Sequence, residues 1–118
     1  MANHNITGKN GEVLALAYLT RNRFVILHTN WRHSHYEIDI IAHRDDILHF
    51  IEVKTRRSLK FGYPEESVTK KKLENLMNGA EAFLCQNPQW KRIQYDILSV
   101  NLWKNRDPEY FFIEDVYL

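Results

Sequence analysis

Four charged side chains, Glu37, Asp39, Glu52 and Lys54, break the apolar pattern of two predicted strands in the stretch EIDIIAHRDDILHFIEVKTR, residues 37–56. The alternation of apolar and polar residues predicts two β-strands joined by a tight turn at Asp45–Asp46. This turn would place Asp39 opposite Glu52 and leave Lys54 on the same face of the hairpin. Like charges directly opposite each other destabilise a sheet, so the facing carboxylates call for a shared proton or a bound cation.

A hard divalent cation suits this pair because Mg²⁺ prefers oxygen ligands, typically one or two carboxylates with waters and phosphate oxygens. Asp39 and Glu52 would supply the carboxylates, and the backbone carbonyl of Val53 could add a third oxygen. Such a metal lowers the pKa of a bound water and neutralises charge on a phosphoryl group. Lys54 could hold the attacking water or stabilise the developing negative charge. The structural alternative is an ordinary cross-strand ion pair between Glu37 and Lys54.

A second acid, Glu12, lies near the first turn of a predicted helix. It shares a helix face with Ala15, Leu16 and Leu19, at spacings of three, four and seven residues. That face is apolar enough to pack on a sheet, which would direct Glu12 inward towards the hairpin. The alternative is that Glu12 only complements the helix dipole.

The elements around the hairpin predict an α/β or α+β sheet with helices packed on it, in the order α-β-β-β-α-β-β. Strict alternation would place Ile38, Ile40 and Ala42 on one face of the first hairpin strand, opposite to Asp39. A polar loop is expected at residues 29–35 and a second loop at 56–66. Helices are predicted at 8–21, with Thr7 as cap, and at 69–85; strands are predicted at 23–28, 36–43, 47–54, 92–102 and 110–117.

Composition indicates one folded domain, residues 1–118, outside the membrane. The chain has 118 residues, of which 44% are hydrophobic and 26% charged, which excludes a disordered class. The longest apolar run, residues 13–19, is too short to span a bilayer. The single cysteine, Cys85, allows no internal disulfide and fits a reducing compartment. We therefore expect a cytoplasmic protein without a membrane partner.

Basic residues are concentrated in one segment of a nearly neutral chain. The net charge is +1, yet residues 54–72 contain seven basic and two acidic side chains. A local basic segment of this kind favours a polyanion such as nucleic acid. Guanidinium and ammonium groups bind phosphate directly. The candidate phosphate contacts are Arg32, Arg56, Arg57, Lys60, Lys70, Lys71 and Lys72.

An acid on a first helix, an Asp on one strand and Glu-x-Lys on the next resemble the PD-(D/E)xK nuclease superfamily. More narrowly, the chain resembles the YraN-like family of small bacterial nuclease-like proteins. The matching stretches, spread from Gly8 to Val100, are GKNGEVLALAYL, VILHTNWR, EIDIIA, FIEVKTR, FGYPEESV, KKKLENLMNGAEAFL and YDILSV. Glu12 matches the first-helix acid of archaeal-type Holliday junction resolvases. The chain departs from the family at Asn22–Arg23, where a glycine is common, and from the superfamily name at Ile38.

The resemblance implies a restriction-endonuclease-like core, a mixed central sheet with helices on its faces. It implies that Asp39, Glu52 and Glu12 are metal ligands and catalytic residues, and that Lys54 is the catalytic lysine. We therefore expect a Mg²⁺- or Mn²⁺-dependent endonuclease that acts on nucleic acid, on DNA rather than RNA, and on branched or flapped structures. A homodimer would let so small a chain span two phosphodiesters.

Two alternatives stay open. One is a nucleic-acid-binding module that has kept the nuclease fold without cleaving. The other is a protein-interaction domain that docks a partner through the basic segment. A complete set of site residues argues against the first, and the basic segment argues against the second.

Overall fold

Two helices and five strands make up the protein in a computed structural model that describes residues 2–57 and 69–116, with side chains from residue 10 onward. The predicted order α-β-β-β-α-β-β and the mixed sheet are confirmed. The elements are α1 (Ala2–Arg21), β1 (Val25–His33), β2 (Tyr36–Arg44), β3 (Ile47–Arg56), α2 (Lys70–Gln86), β4 (Ile93–Trp103) and β5 (Arg106–Ile113).

The five strands form one sheet in the order β1-β2-β3-β4-β5. Neighbouring strands are antiparallel except β3 and β4, which are parallel. A parallel pair needs a long crossover, and the chain between β3 and β4 contains α2. The sheet therefore has β3 at its centre, and β3 carries Glu52 and Lys54.

Each face of the sheet is covered by one helix, and each helix supplies its own apolar core. Ala15 and Leu19 of α1 pack with Ile40, Ile51 and Leu98 of the sheet. On the other face, the buried side chains of α2 pack with those of β2 and β3. These residues are Leu73, Leu76, Ala80 and Phe83 of the helix, with Ile38, Ile41, Leu48 and Phe50 of the strands. Neither helix, over the residues that the structure describes, is long and apolar enough to cross a membrane.

Several element boundaries differ from the predicted ones. The helix α1 begins at Ala2, so Thr7 lies inside the helix and is not its cap. The strand β1 continues to His33, because the polar residues predicted as a loop pair with β2 as far as His33 and Tyr36. The last strand occupies Arg106–Ile113 instead of residues 110–117, since it pairs there with β4. The loop predicted at 56–66 lies almost entirely outside the described residues.

The start of α2 agrees closely with the prediction. Thr69 is the N-cap, and its side-chain oxygen accepts a hydrogen bond from the backbone N–H of Lys72 at 3.2 Å. A cap of this kind satisfies one of the free N–H groups of the first turn. It therefore fixes the direction in which the first turn of α2, with its three lysines, leaves the sheet.

Candidate active site

The turn and the first pairs of the β2–β3 hairpin form as the alternation predicts. Asp45 and Asp46 have φ values of 53° and 66°, the left-handed conformation of a two-residue hairpin turn. The ladder runs from Arg44 and Ile47 to Ile40 and Ile51, and it ends there within the described chain. The predicted cross-strand pairs of Asp39 with Glu52 and of Glu37 with Lys54 are therefore wrong as ladder pairs. The two strands separate at the position of the carboxylates.

A kink in β2 explains the separation. Ile38 packs in the α2 core and Ile40 in the α1 core, although strict alternation would place both on one face. The neighbouring strand changes face at the same level, where Asn30 has a φ of 52°. Non-glycine residues adopt this conformation rarely. The prediction that Ile38 and Ile40 share a face is therefore wrong, because the backbone turns over at Asp39.

The kink directs the Asp39 carboxylate into the gap between β2 and β3. The backbone N–H of Val53 donates a hydrogen bond to Asp39 Oδ2 at 2.8 Å. The Glu52 carboxylate is a neighbour of Asp39, close enough for its charge to act on it. The structure thus brings the two predicted carboxylates together, but through the side chain of a kinked residue and not through strand pairing.

Burial, followed by the charge of Glu52, raises the pKa of Asp39 from its ordinary value of 3.8 to about 7, and the Val53 amide only partly opposes the rise. Near neutral pH the Asp39 carboxyl group is therefore partly protonated when no cation is bound. A raised pKa at a partly buried acid is common at functional sites.

Glu12 faces Asp39 across a small cavity on the α1 side of the sheet. The cavity has a volume of about 70 Å³, and Glu12, Asn30, Asp39 and Val53 are among its lining residues. This is room for a few water molecules. The structure therefore places Glu12 beside Asp39, as the apolar helix face predicted, although the Glu12 side chain is exposed.

Gly11 sets how closely α1 approaches the site. A β-carbon at Gly11 would overlap the side chain of Thr55 on β3. Only glycine allows the helix to lie this close to the strand, and Glu12 is the next residue. The sequence contains this signal, a glycine next to the predicted acid, but its meaning depends on the contact with Thr55.

Glu52 and Lys54 lie on the α2 side of the sheet, whereas Asp39 lines a cavity with Glu12 and Val53 on the α1 side. The prediction that Asp39 shares a face with Glu52 and Lys54 is therefore wrong, because β2 is kinked at Asp39. They line a groove together with Tyr36, Lys72 and Asn75. Burial, and next the nearby Lys72, lower the pKa of Lys54 below its ordinary value. Glu37, the predicted partner of Lys54, instead forms an ion pair with Arg32 at 2.6 Å. Sequence reasoning missed Tyr36 and Asn75, since neither belongs to the charged pattern.

The predicted phosphate contacts are spread around the site. Arg32 is bound to Glu37, and Arg56 and Arg57 lie at and just after the end of β3. The three lysines of the first turn of α2 are exposed, and among them Lys72 lines the groove. Lys60 lies outside the described residues.

A different polar pair lies inside the core. His49 Nδ1 and Asp96 Oδ2 are 2.6 Å apart, and both residues are buried. Asp96 also accepts hydrogen bonds from Gln94 and from the backbone of Asp115. These bonds satisfy the buried carboxylate, so we regard the pair as structural.

The donor set around Asp39 fits a hard cation, with fewer protein ligands than the sequence suggested. In residues 2–57 and 69–116, no three His, Cys, Asp or Glu side chains are placed to hold one metal ion. Glu12 therefore lines the cavity without completing a three-residue ligand set. Asp39 and Glu52 offer carboxylate oxygens. The Val53 carbonyl faces the same strand as its N–H, because both groups of an extended residue point to one neighbour. Oxygen donors of this kind suit Mg²⁺ or Mn²⁺ when water and substrate supply the other ligands.

Comparisons with other proteins connect the chain to a family defined by sequence. The profile of "Uncharacterised protein family UPF0102" matches residues 11–100, which include the acids and lysine of the candidate site. A UPF0102 protein of Dictyoglomus thermophilum is 40% identical over 104 residues, covering 87% of this chain and 88% of that protein. One of Bacteroides fragilis is 38% identical over 100 residues, covering 85% and 83%. One of Rhodococcus opacus is 35% identical over 118 residues, covering 99% and 100%.

Proposed function

Since the chain belongs to the uncharacterised protein family UPF0102, its activity must be inferred from its own site, and we propose that it is a Mg²⁺- or Mn²⁺-dependent nuclease that hydrolyses phosphodiester bonds. The YraN-like resemblance agrees with this family, whereas membership of the nuclease superfamily is part of the proposal. The observation that carries it is the contact between the Asp39 and Glu52 carboxyl groups beside Lys54. Two acids that repel each other in a partly buried gap are best explained by a cation that binds between them.

Asp39 and Glu52 would hold the cation, with the Val53 carbonyl as a further oxygen ligand. A divalent cation at this position neutralises charge on a phosphodiester and acidifies a bound water. Glu12 lines the same cavity, and its carboxylate can accept hydrogen bonds from water there. Its contribution is to orient water on the α1 side of the pair.

Lys54 would stabilise the charge that develops on the phosphate. Its ammonium group has three N–H donors, enough to bind a phosphate oxygen and a water together. Burial and the neighbouring Lys72 both disfavour its charged form. A bound phosphate anion would stabilise the charged form of Lys54. Binding of substrate in the groove would therefore also keep this lysine protonated.

The basic side chains around the site supply sequence-independent affinity. Lys70, Lys71 and Lys72 occupy the first turn of α2, where the helix dipole disfavours cations. Their exposure there favours contact with a phosphate backbone. The preference for DNA, the cytoplasmic location and the homodimer remain predictions from the sequence.

The alternative is a module that binds nucleic acid and does not cleave it. One observation favours it: the described residues contain no set of three side chains able to hold a metal. Mg²⁺ needs only one or two carboxylates when substrate oxygens complete its shell, so this observation does not outweigh the carboxylate pair. The third reading, a protein-interaction domain, leaves the Asp39–Glu52 contact without a purpose.

A cleavage assay with a metal titration decides between the nuclease and the binding module. Branched, flapped and single-stranded DNA and RNA are incubated with Mg²⁺ or Mn²⁺, and the products are separated. We expect cleavage that requires the metal and is lost in Asp39→Asn and Glu52→Gln. Glu81→Gln removes an exposed carboxylate from α2 and is the matched control. A wild type that cleaves none of these substrates, and whose melting temperature neither metal changes, would leave the binding module as the better explanation.

A further inference from the structure

A polar groove on the α2 side of the sheet extends beyond the carboxylate pair. It has a volume of about 300 Å³ and is lined by His35, Tyr36, Glu52, Lys54, Lys72 and Asn75 among others. The cavity between Glu12 and Asp39, at about 70 Å³, is too small for a nucleobase. A second space of about 300 Å³, lined by Glu12, Asp39, Val53, Lys54 and Thr55, also opens beside the carboxylates. Aromatic side chains line only the groove among these three spaces, so the groove is the one suited to a nucleobase. Its volume is near the lower end for small-molecule sites.

Rigid elements build the groove. A β-carbon at Gly79 would lie 3.3 Å from Tyr36 Cβ and from Ile38 Cγ1, so α2 is closest to β2 at this glycine. Lys72 and Asn75 precede Gly79 by seven and four residues, a spacing that places them on the same helix face. The Thr69 cap fixes the first turn of that helix. The wall formed by α2 is therefore held in place relative to the strand that carries Tyr36.

Two ammonium groups line the groove. The side chains of Lys54 and Lys72 are neighbours. Two acids also line the groove: Glu37 forms an ion pair with Arg32, and the charge of Glu52 acts on both Lys54 and Asp39. With Glu37 paired, one carboxylate faces two lysines, which leaves an excess of positive charge. Two adjacent cations of this kind favour an anion such as a phosphate group.

The groove also offers aromatic surface and one amide. The rings of His35 and Tyr36 are 4.1 Å apart at their centroids and tilted by 40°. Aromatic side chains beside a basic groove are the usual platform for an unpaired base. Asn75 lies in the same groove, and its amide both donates and accepts hydrogen bonds.

We propose that this groove binds one unpaired nucleotide next to the reacting phosphodiester, with its phosphate on Lys54 and Lys72 and its base against His35 and Tyr36. The Asn75 amide then hydrogen-bonds the edge of that base. The proposal rests on the proposed nuclease function and narrows its substrate class. A base held in the groove cannot remain stacked in a duplex, so flaps, branch points and single strands are substrates and a fully paired duplex is not.

Mononucleotide binding tests the groove without any cleavage. Wild-type protein in EDTA is titrated with deoxyadenosine 5′-monophosphate, adenosine 5′-monophosphate, deoxyribose 5-phosphate and inorganic phosphate, and NMR follows the ring signals of His35 and Tyr36. We expect both nucleotides to shift these signals and to bind at least about fivefold more tightly than the two ligands without a base. The nucleotide that binds more tightly indicates whether the groove prefers DNA or RNA, and either preference supports the proposal that the groove binds a nucleotide. Equal affinity for deoxyribose 5-phosphate and for the nucleotides would show that the groove does not bind the base, and would overturn the proposal.

Single-residue variants connect binding to the groove. Lys72→Ala and His35→Ala remove exposed side chains, so they report on binding without a loss of core packing. We expect each to weaken nucleotide binding several-fold, with the folded state checked by circular dichroism. Lys71→Ala removes the same charge from the same turn outside the groove lining. An equal loss in Lys71→Ala would show that only the overall charge matters, and absence of nucleotide binding by the wild type would refute the groove itself. Loss of the nuclease function alone would leave these titrations unchanged.

Discussion

The replacement Asp39→Asn tests the electrostatics of the candidate site most directly. The asparagine side chain keeps an oxygen that can accept the hydrogen bond from the Val53 N–H. It removes the negative charge that burial and Glu52 disfavour. We therefore expect the variant to be more stable than the wild type above neutral pH, when no divalent cation is present, although the same variant should lose cleavage.

The raised pKa gives the size and the pH range of this effect. The pKa of Asp39 is about 7 in the folded protein against an ordinary value of 3.8, and each pKa unit corresponds to about 1.4 kcal/mol. Because the folded state holds the proton more tightly than the unfolded state, wild-type stability falls as pH rises from about 4 to about 7 and is level above. The Asp39→Asn variant has no carboxyl group at this position, so its free energy of unfolding does not fall for this reason. Its advantage should be near zero at pH 4 and at most about 4 kcal/mol at pH 8.

Urea unfolding in EDTA at several pH values between 4 and 8 measures this difference. Asp107→Asn, at an exposed position of β5, removes a carboxylate that lies away from the site and is the control. We expect its stability to track that of the wild type across the series. An advantage of Asp39→Asn that does not change with pH, or a variant less stable than the wild type at pH 8, would refute the proposed repulsion.

Three further predictions concern the lysine, the basic segment and the helix contact. Lys54→Met should abolish cleavage, but Mn²⁺ should still stabilise the variant because the carboxylates remain. At a metal concentration of 100 Kd the free energy of unfolding should rise by about 2.7 kcal/mol, which a higher melting temperature reports. Alanines in the basic segment should flatten the salt dependence of nucleic-acid binding by about 0.9 in log–log slope for each lost phosphate contact. The four alanine positions are Arg56, Arg57, Lys70 and Lys71. Gly11→Ala should destabilise the protein by about 1–3 kcal/mol and reduce cleavage, since the new β-carbon overlaps Thr55.

Each of these predictions has its own contrary result. For the lysine, a loss of the Mn²⁺ shift in Lys54→Met as complete as in Glu52→Gln would make Lys54 part of the metal site. For the basic segment, equal salt slopes in the wild type and the fourfold variant would place the nucleic acid elsewhere. For the helix contact, Gly11→Ala should cost less in a Thr55→Ala background, because the overlapping side chain is then smaller.

Sequence patterns could predict the order of the elements and the strand pairs next to the hairpin turn, because both depend on local signals. Asp45 and Asp46 tolerate the left-handed turn, and the pairing of Ile40 with Ile51 follows from a period of two. The pattern failed at Asp39, since Ile38 and Ile40 satisfy strict alternation yet pack on opposite faces. That change occurs at the level of Asn30 in the neighbouring strand, whose left-handed conformation lies outside any local sequence window around Asp39.

Sequence patterns indicated which charged residues lie near one another but not how the fold places them there, and their role as an active site remains a prediction. Glu12, Asp39, Glu52 and Lys54 come together because a glycine admits α1 and a kink redirects a carboxylate. The groove was missed for a related reason. Tyr36 and Asn75 are ordinary residues of a strand and a helix, and only the close approach of α2 at Gly79 places them beside the charged side chains.

Both outer strands of the sheet are interrupted, and this affects how copies of the protein can associate. The edge strand β1 has a register shift between Ile26 and His28 and a left-handed residue at Asn30. The opposite edge, β5, contains Pro108, which has no amide hydrogen to donate. Interrupted edge strands of this kind are poor templates for pairing with a strand of a second chain, and they protect the sheet from edge-to-edge aggregation. A homodimer therefore has to form through helices or exposed side chains, with two separate sheets, and not by joining them into one.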